Sequence, residues 1–226
     1  MTVEELEQEK KKAREAALVI GGALVIILGL RSTSKPVLWD ASRASFIIEG
    51  RYVSAKTIRE QILRIRIASG NRIVILTDRL ANGLISLEQW RDEMKSVVST
   101  SHILTAALGS GSIAAAAANE AVVSAVVEER AFLDKFAKDI PEKKLSTPTI
   151  KARAKSYLLA AGVTFAIVHH AIRKSAGYTE ARRMRTAAES CKGCIAYAGI
   201  WMSIDDVPPI GSLECRNYCR CFLEYR

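Results

Sequence analysis

CKGCIAYAGIWMSIDDVPPIGSLECRNYCRC, residues 191–221, holds all five cysteines of a 226-residue chain. Cys191 and Cys194 form a CxxC knuckle, and after 20 further residues Cys215, Cys219 and Cys221 follow as CxxxCxC. Four thiolates at such spacing suit a tetrahedral metal site, in which a tight CxxC turn supplies two ligands and a second loop two more. The expected cofactor is a structural zinc ion bound by four of Cys191, Cys194, Cys215, Cys219 and Cys221. Disulfide bonds among the same residues, which need an oxidising compartment, are the alternative, and free thiols are a third reading. Five candidates for four positions leave one sulfur spare. In an extended CRC, Cys219 and Cys221 reach one metal only if the backbone turns tightly between them. A closed four-thiolate site holds a fold together and leaves no open position, so it counts against a zinc enzyme. The stretch divides the chain into a larger body and a terminal module too small for a core of its own, stapled by metal.

Upstream of the cysteines the pattern reads as helix after helix. FIIEGRYVS (Phe46 to Ser54) is the one place that suits a short hairpin or turn, with Gly50 supplying a positive φ. Ile58, Ile62, Ile65, Leu76 and Leu80 then keep a 3.6-residue period from a Ser54 N-cap to Asn82 and Gly83, with Gly70-Asn71 as a break midway. Ser86 and Gln89 form a capping box ahead of an apolar stripe of Leu87, Trp90, Met94, Val97, Val98, Leu104 and Leu108. GSGS (Gly109 to Ser112) ends or links that helix to five consecutive alanines, which favour helix and allow close packing. Val122, Val126, Phe132 and Phe136 predict the next core face, and DIPEKKLSTPT a polar connection. Thr147-Pro148 reads as an N-cap followed by proline, opening a helix with Tyr157, Ala161, Phe165, Val168 and Ile172 inward as far as Gly177. A last basic helix, YTEARRMRTAAES, leads to Cys191. The expected fold is all-α, an elongated helical bundle with a small C-terminal zinc-knuckle-like module. Its segments are 1–35 (charged, then apolar helix), 36–140 (helical body), 141–190 (basic helices) and 191–226 (cysteine-rich module).

The first segment raises the question of targeting. Ala16 to Leu30 is an uninterrupted apolar run of 15 residues, shorter than the roughly 17–25 that span a bilayer. Five glutamates precede it and no small-residue cleavage site follows, which argues against a cleaved signal peptide. Burial against other protein, such as a sister subunit, is the leading reading, with membrane contact through Ala16 to Leu30 second.

An apolar fraction of 49% with 25% charged residues excludes a disordered chain. The net charge of +9 is uneven: residues 1–140 carry 19 Lys/Arg against 17 Asp/Glu, and residues 141–226 carry 14 against 7. The basic excess thus belongs to the C-terminal part, where Arg182, Arg183 and Arg185 are candidates to lie close to DNA or another polyanion. Catalytic arrangements such as GxSxG, HExxH, a P-loop or GxGxxG after a strand do not occur in the sequence. His102, His169 and His170 read as structural or surface residues, and the two adjacent ones point about 100° apart on a helix, which keeps them from sharing one site. No pair of carboxylates stands out for acid/base work.

CKGCIAYAGIW followed by PPIGSLECRNYCRC resembles the cysteine-rich end of tailed-bacteriophage minor head proteins, the group containing the phage Mu protein F-like head morphogenesis proteins. Those end in a CxxC, a glycine-containing linker, a proline and a closing CRC, commonly preceded by a histidine. WDASRASFIIEGRYVS, GLISLEQWRDEM and LTAALGSGS are similar to phage and prophage proteins that share this ending. The specific part is the last 36 residues; Cys215 stands where the family more often has histidine, and the apolar N-terminal helix departs from the pattern. The resemblance implies a non-enzymatic component of the phage head, present in the host cytoplasm during assembly. It would act at the portal or inner capsid in head assembly, genome packaging or delivery. Portal or capsid proteins, sister copies and packaged DNA are the implied partners. A non-specific DNA-binding zinc-knuckle protein and a membrane-active protein ejected with the genome are the alternatives.

Overall fold

The computed structural model describes residues 8, 11, 38–40, 45–48, 50–110, 113–186 and 189–226. The apolar run Ala16 to Leu30 lies outside the described residues, among which no helix is long and apolar enough to cross a membrane. Three strands come first, β1 (Leu38–Asp40), β2 (Ser45–Ile48) and β3 (Arg51–Ser54), in an antiparallel sheet of order β1-β2-β3. The expected hairpin is the β2–β3 pair, in register Ile48 to Arg51, and Gly50 turns it at φ +76°. Helices α1 (Ala55–Ala81), α2 (Leu87–Ser110), α3 (Ile113–Ala118), α4 (Glu120–Glu142) and α5 (Thr147–Ser175) follow. The C-terminal part then builds a second antiparallel sheet from β4 (Glu180–Met184), β5 (Trp201–Ser203) and β6 (Phe222–Tyr225), in order β5-β4-β6. A short helix α6 (Lys192–Ala196) and a 3-10 turn (Arg216–Tyr218) connect these strands.

Two sheets overturn the all-α expectation: the protein is a mixed α and β fold, mostly helical. EARRM is strand β4 and not part of the expected basic helix, with burial alternating along it. Alanine and arginine favour helix locally, but the segment is the central strand of its sheet and bonds to β5 on one side and β6 on the other. Tertiary pairing overrides a weak propensity of this kind.

The helical body follows its caps. Ser54 accepts from the Thr57 amide to start α1, and Ser86 with Gln89 closes a reciprocal capping box ahead of α2. The cap of α5 is Ser146, one residue before the expected Thr147, and its hydroxyl accepts from the Thr149 amide. Helix α1 runs unbroken through Gly70-Asn71, and α4 continues over Pro141 to Glu142. Proline forgoes the bond to the Ala137 carbonyl there, and the helix ends one residue later.

Helix α2 is central and packs on α1, α4 and α5. One end of the bundle is filled by Ile73, Leu76, Trp90, Met94, Leu133, Phe136 and Leu158. Phe132 is 44% exposed and not part of that face. The other end uses alanines, Ala106, Ala116 and Ala117, against Ile103, Val122 and Val168. Small residues bring backbones close enough there for polar seams: Thr105 Oγ1 donates to the Ala161 carbonyl at 2.8 Å, and His102 Nδ1 lies 2.7 Å from Thr164 Oγ1. His102 is therefore a core residue, and burial pushes its pKa down to about 4.

The C-terminal sheet has its own apolar cluster, Ala181, Ile204, Val207, Ile210, Leu223 and Tyr225, seated on α5 against Ala166. His169 and His170 both flank Tyr225, with ring centroids 5.2 and 5.8 Å away. The 100° between neighbouring helical positions does not keep them apart, because the tyrosine ring lies across both. Gly211 completes the docking: its φ is +90°, and a Cβ built there would sit 2.8 Å from Val163 Cγ1 on α5.

Candidate metal centre

Cys191 is the N-cap of α6, and its Sγ accepts from the Cys194 amide at 3.4 Å. That single turn of helix turns Cys194 inward to complete burial beside its capping partner. The second loop places Cys215 and Cys219 at the two ends of the 3-10 turn, and Cys221 immediately ahead of β6. Glu214 ties the two loops together by accepting from the Gly193 amide at 3.2 Å.

The sulfurs gather around Cys194. Cys194 Sγ lies 3.6 Å from Cys215 Sγ and 3.8 Å from Cys219 Sγ. Two triads have mutual separations within 4.8 Å, Cys191-Cys194-Cys215 and Cys194-Cys219-Cys221, and Cys194 is the vertex they share. All five cysteines are free, and the paired separations are far from the roughly 2.05 Å of a disulfide. They match instead the edge of a tetrahedron with metal–sulfur arms of about 2.3 Å, which is about 3.8 Å. The donor set therefore fits a thiolate-bound divalent metal, and the disulfide alternative does not describe this structure. Cys219 and Cys221 both approach Cys194: Cys219 closes the 3-10 turn and the chain extends from it, so alternate residues share one side. A cleft bounded by Thr186, Ser190 and Tyr218 leads from solvent to the sulfurs and gives a metal its entry path.

Arg183 reveals what charge the cluster carries. It is 0% exposed, on the inward side of β4, and its Nη1 donates to Cys194 Sγ at 3.6 Å and Cys219 Sγ at 3.7 Å. Nη2 donates to the Pro208 and Pro209 carbonyls. Among the described residues no carboxylate pairs with it. A buried guanidinium without a counter-charge is strongly unfavourable, and the sulfurs are the groups placed to supply negative charge on binding a metal. Four thiolates around a divalent ion would carry a net charge of −2, which one arginine would half neutralise.

Without metal the sulfurs do not ionise together. The Cys194 amide holds the Cys191 thiol below its ordinary pKa. Cys219 is also lowered: burial opposes this, but the Cys221 amide and the Cys215 and Cys194 thiols outweigh it. Burial pushes Cys215 up to about 12, and burial together with the other four sulfurs raises Cys194. A bound cation is what allows all ligands to be thiolates at once.

The arginine triad expected near DNA is dispersed by the strand. Arg183 points into the module and cannot meet phosphate. Arg182, on the outer face, is paired with Glu224 at 2.7 Å and lies over the Trp201 ring, while Arg185 is exposed and donates to Ser190 Oγ at 3.3 Å. A period of two in EARRM, with alanine and the second arginine inward, was the available signal for Arg183. Comparison with protein-family models, with curated proteins and with solved structures finds no match.

Proposed function

We propose that this chain is a non-enzymatic structural component of a tailed-phage virion, acting at the portal or inner capsid in head assembly, genome packaging or delivery. Its C-terminal module holds one structural zinc. The observation that carries this reading is the meeting of two sulfur triads at Cys194, beside a fully buried arginine. Such a set offers a metal only thiolates, and with four of them bound the site would be closed and its product rigidity. The residues that form it are those whose order, CKGC then CRC, resembles the closing segment of phage head morphogenesis proteins. Zinc would tie the loop of Cys191 and Cys194 to that of Cys215, Cys219 and Cys221, and so hold β6 in place beside β4. The helical body supports a role among protein neighbours: Leu63, Ile67 and Ile75 of α1 are each more than half exposed.

Two measurements test the two parts. Reduced, purified protein should carry about one zinc per chain; well under half an equivalent removes the zinc. Phage particles from a strain encoding the chain should contain it by mass spectrometry, and a deletion should give heads defective in DNA filling or delivery. Normal infectious particles lacking the protein would end the virion reading.

A further inference from the structure

A cavity of about 1050 Å³ forms a groove beside the outer edge of β6, the one facing away from β4. Helix α5 forms its floor through Leu159, Gly162 and Phe165; α1 forms one wall through Ile58 and Ile62. The opposite wall is the whole run Phe222 to Arg226, and consecutive strand residues line a groove together only when the strand presents its edge. Glu180 and Arg226 exchange both backbone hydrogen bonds. In an antiparallel ladder such pairs alternate, so Glu224 and Phe222 also face β4, and Leu223 and Tyr225 direct their N–H and C=O groups the other way. Among the described residues nothing bonds to those four groups.

The groove is positively charged. Arg59 and Arg66, two turns apart on one face of α1, and Arg220 across from them line it, and none pairs with a carboxylate among the described residues. Arg59 rests on the Phe222 ring at 5.0 Å. Arg66 is half-buried and close enough to Arg220 for the two cations to repel. Glu224, the carboxylate on the lining, is already taken by Arg182.

From the unpaired strand edge, the apolar floor and the three unneutralised arginines, we infer that the groove receives an extended, acidic and apolar segment of a partner protein, added to the sheet as a fourth strand beside β6. Backbone bonds to Leu223 and Tyr225 set the register. Alternate apolar side chains of the segment fall on Leu159 and Phe165, and its carboxylates meet Arg59, Arg66 and Arg220. An acyl chain with an acidic head would satisfy the floor and the arginines but leave the four backbone groups bare, which is why a peptide is preferred. The inference goes beyond the virion reading and holds whatever assembly the protein joins.

The test uses the full-length, metal-loaded protein and a fluorescein-labelled peptide of alternating valine and glutamate about six residues long. Anisotropy should show saturable binding, and hydrogen exchange should slow at the Leu223 and Tyr225 amides when peptide is added. A peptide with lysine in place of glutamate, or with proline at alternate positions, should bind at least about tenfold more weakly. The R59Q/R66Q variant, with thermal unfolding and zinc content checked, should lose about tenfold in affinity for the acidic peptide. Equal binding of the lysine or proline peptides overturns the proposal. So does binding of palmitate with no binding of peptide, which assigns the groove to amphiphiles. Full protection of both amides before any peptide is added also overturns it, since the chain itself or a second copy then fills the edge.

Discussion

Replacing Arg183 with methionine should weaken metal binding while leaving the metal-free protein no less stable. The side chain is 0% exposed and divides its bonds between Cys194 and Cys219 on one guanidinium nitrogen and the Pro208 and Pro209 carbonyls on another. Methionine keeps much of the volume and removes the charge. In the metal-loaded protein this strips the counter-charge from a buried dianionic centre, and breaking a buried pair costs about 3 kcal/mol at the lower end. Expressed in affinity, that is about 100-fold weaker zinc binding. In the metal-free protein most of the sulfurs are thiols, so Arg183 is there a buried cation with incomplete compensation, and its removal relieves a desolvation cost. The expected sign is neutral to stabilising. Zinc affinity measured by competition with a chromophoric chelator, paired with urea unfolding of the loaded and metal-free forms, separates the two effects. Equal destabilisation of both forms would refute the reasoning, because Arg183 would then be a packing residue and not a counter-ion.

Cys194 belongs to both sulfur triads, so Cys194→Ser should abolish metal binding in elemental analysis, whereas Cys221→Ser should retain most of it because the triad Cys191, Cys194 and Cys215 is left intact. Gly211→Ala should destabilise the module by about 1–3 kcal/mol, from positive φ and the clash with Val163; in thermal unfolding, Val163→Ala should recover the steric part and not the backbone part. Burial holds His102 neutral with its pKa down to about 4, while the unfolded chain protonates it near 6.5. The unfolded state therefore binds more protons as pH falls. The stability that neutral His102 maintains is present above about pH 6.5 and is lost progressively toward pH 4, by about 3 kcal/mol in all. Metal-free wild type should lose this relative to metal-free His102→Gln in denaturant titrations across that range; parallel curves for the two proteins would contradict the assignment.

Local chemistry was legible without coordinates wherever a residue acts on its own neighbours. Ser54 and the Ser86-Gln89 box set helix starts, Gly50 set a hairpin, and the apolar stripe from Trp90 to Leu108 set the buried face of α2, because capping, turn formation and helical periodicity span only a few residues. The cysteines announced a metal-binding cluster by composition and spacing alone. Everything that depends on a distant partner had to await the fold. EARRM reads as helix from its residues and is a strand because β5 and β6 flank it, and with that change Arg183 moved from a surface charge to the centre of the sulfur cluster. His102, structural or surface by its sequence, lies in the core because Thr164, 62 residues on, receives it. The groove beside β6 has no sequence signature, since its walls come from helices and strands more than 150 residues apart and an unpaired edge is defined by what the rest of the chain leaves open. Sequence determines the menu of local elements; which faces meet, and therefore which charges are buried and which remain for a partner, is settled by long-range packing that no short window contains.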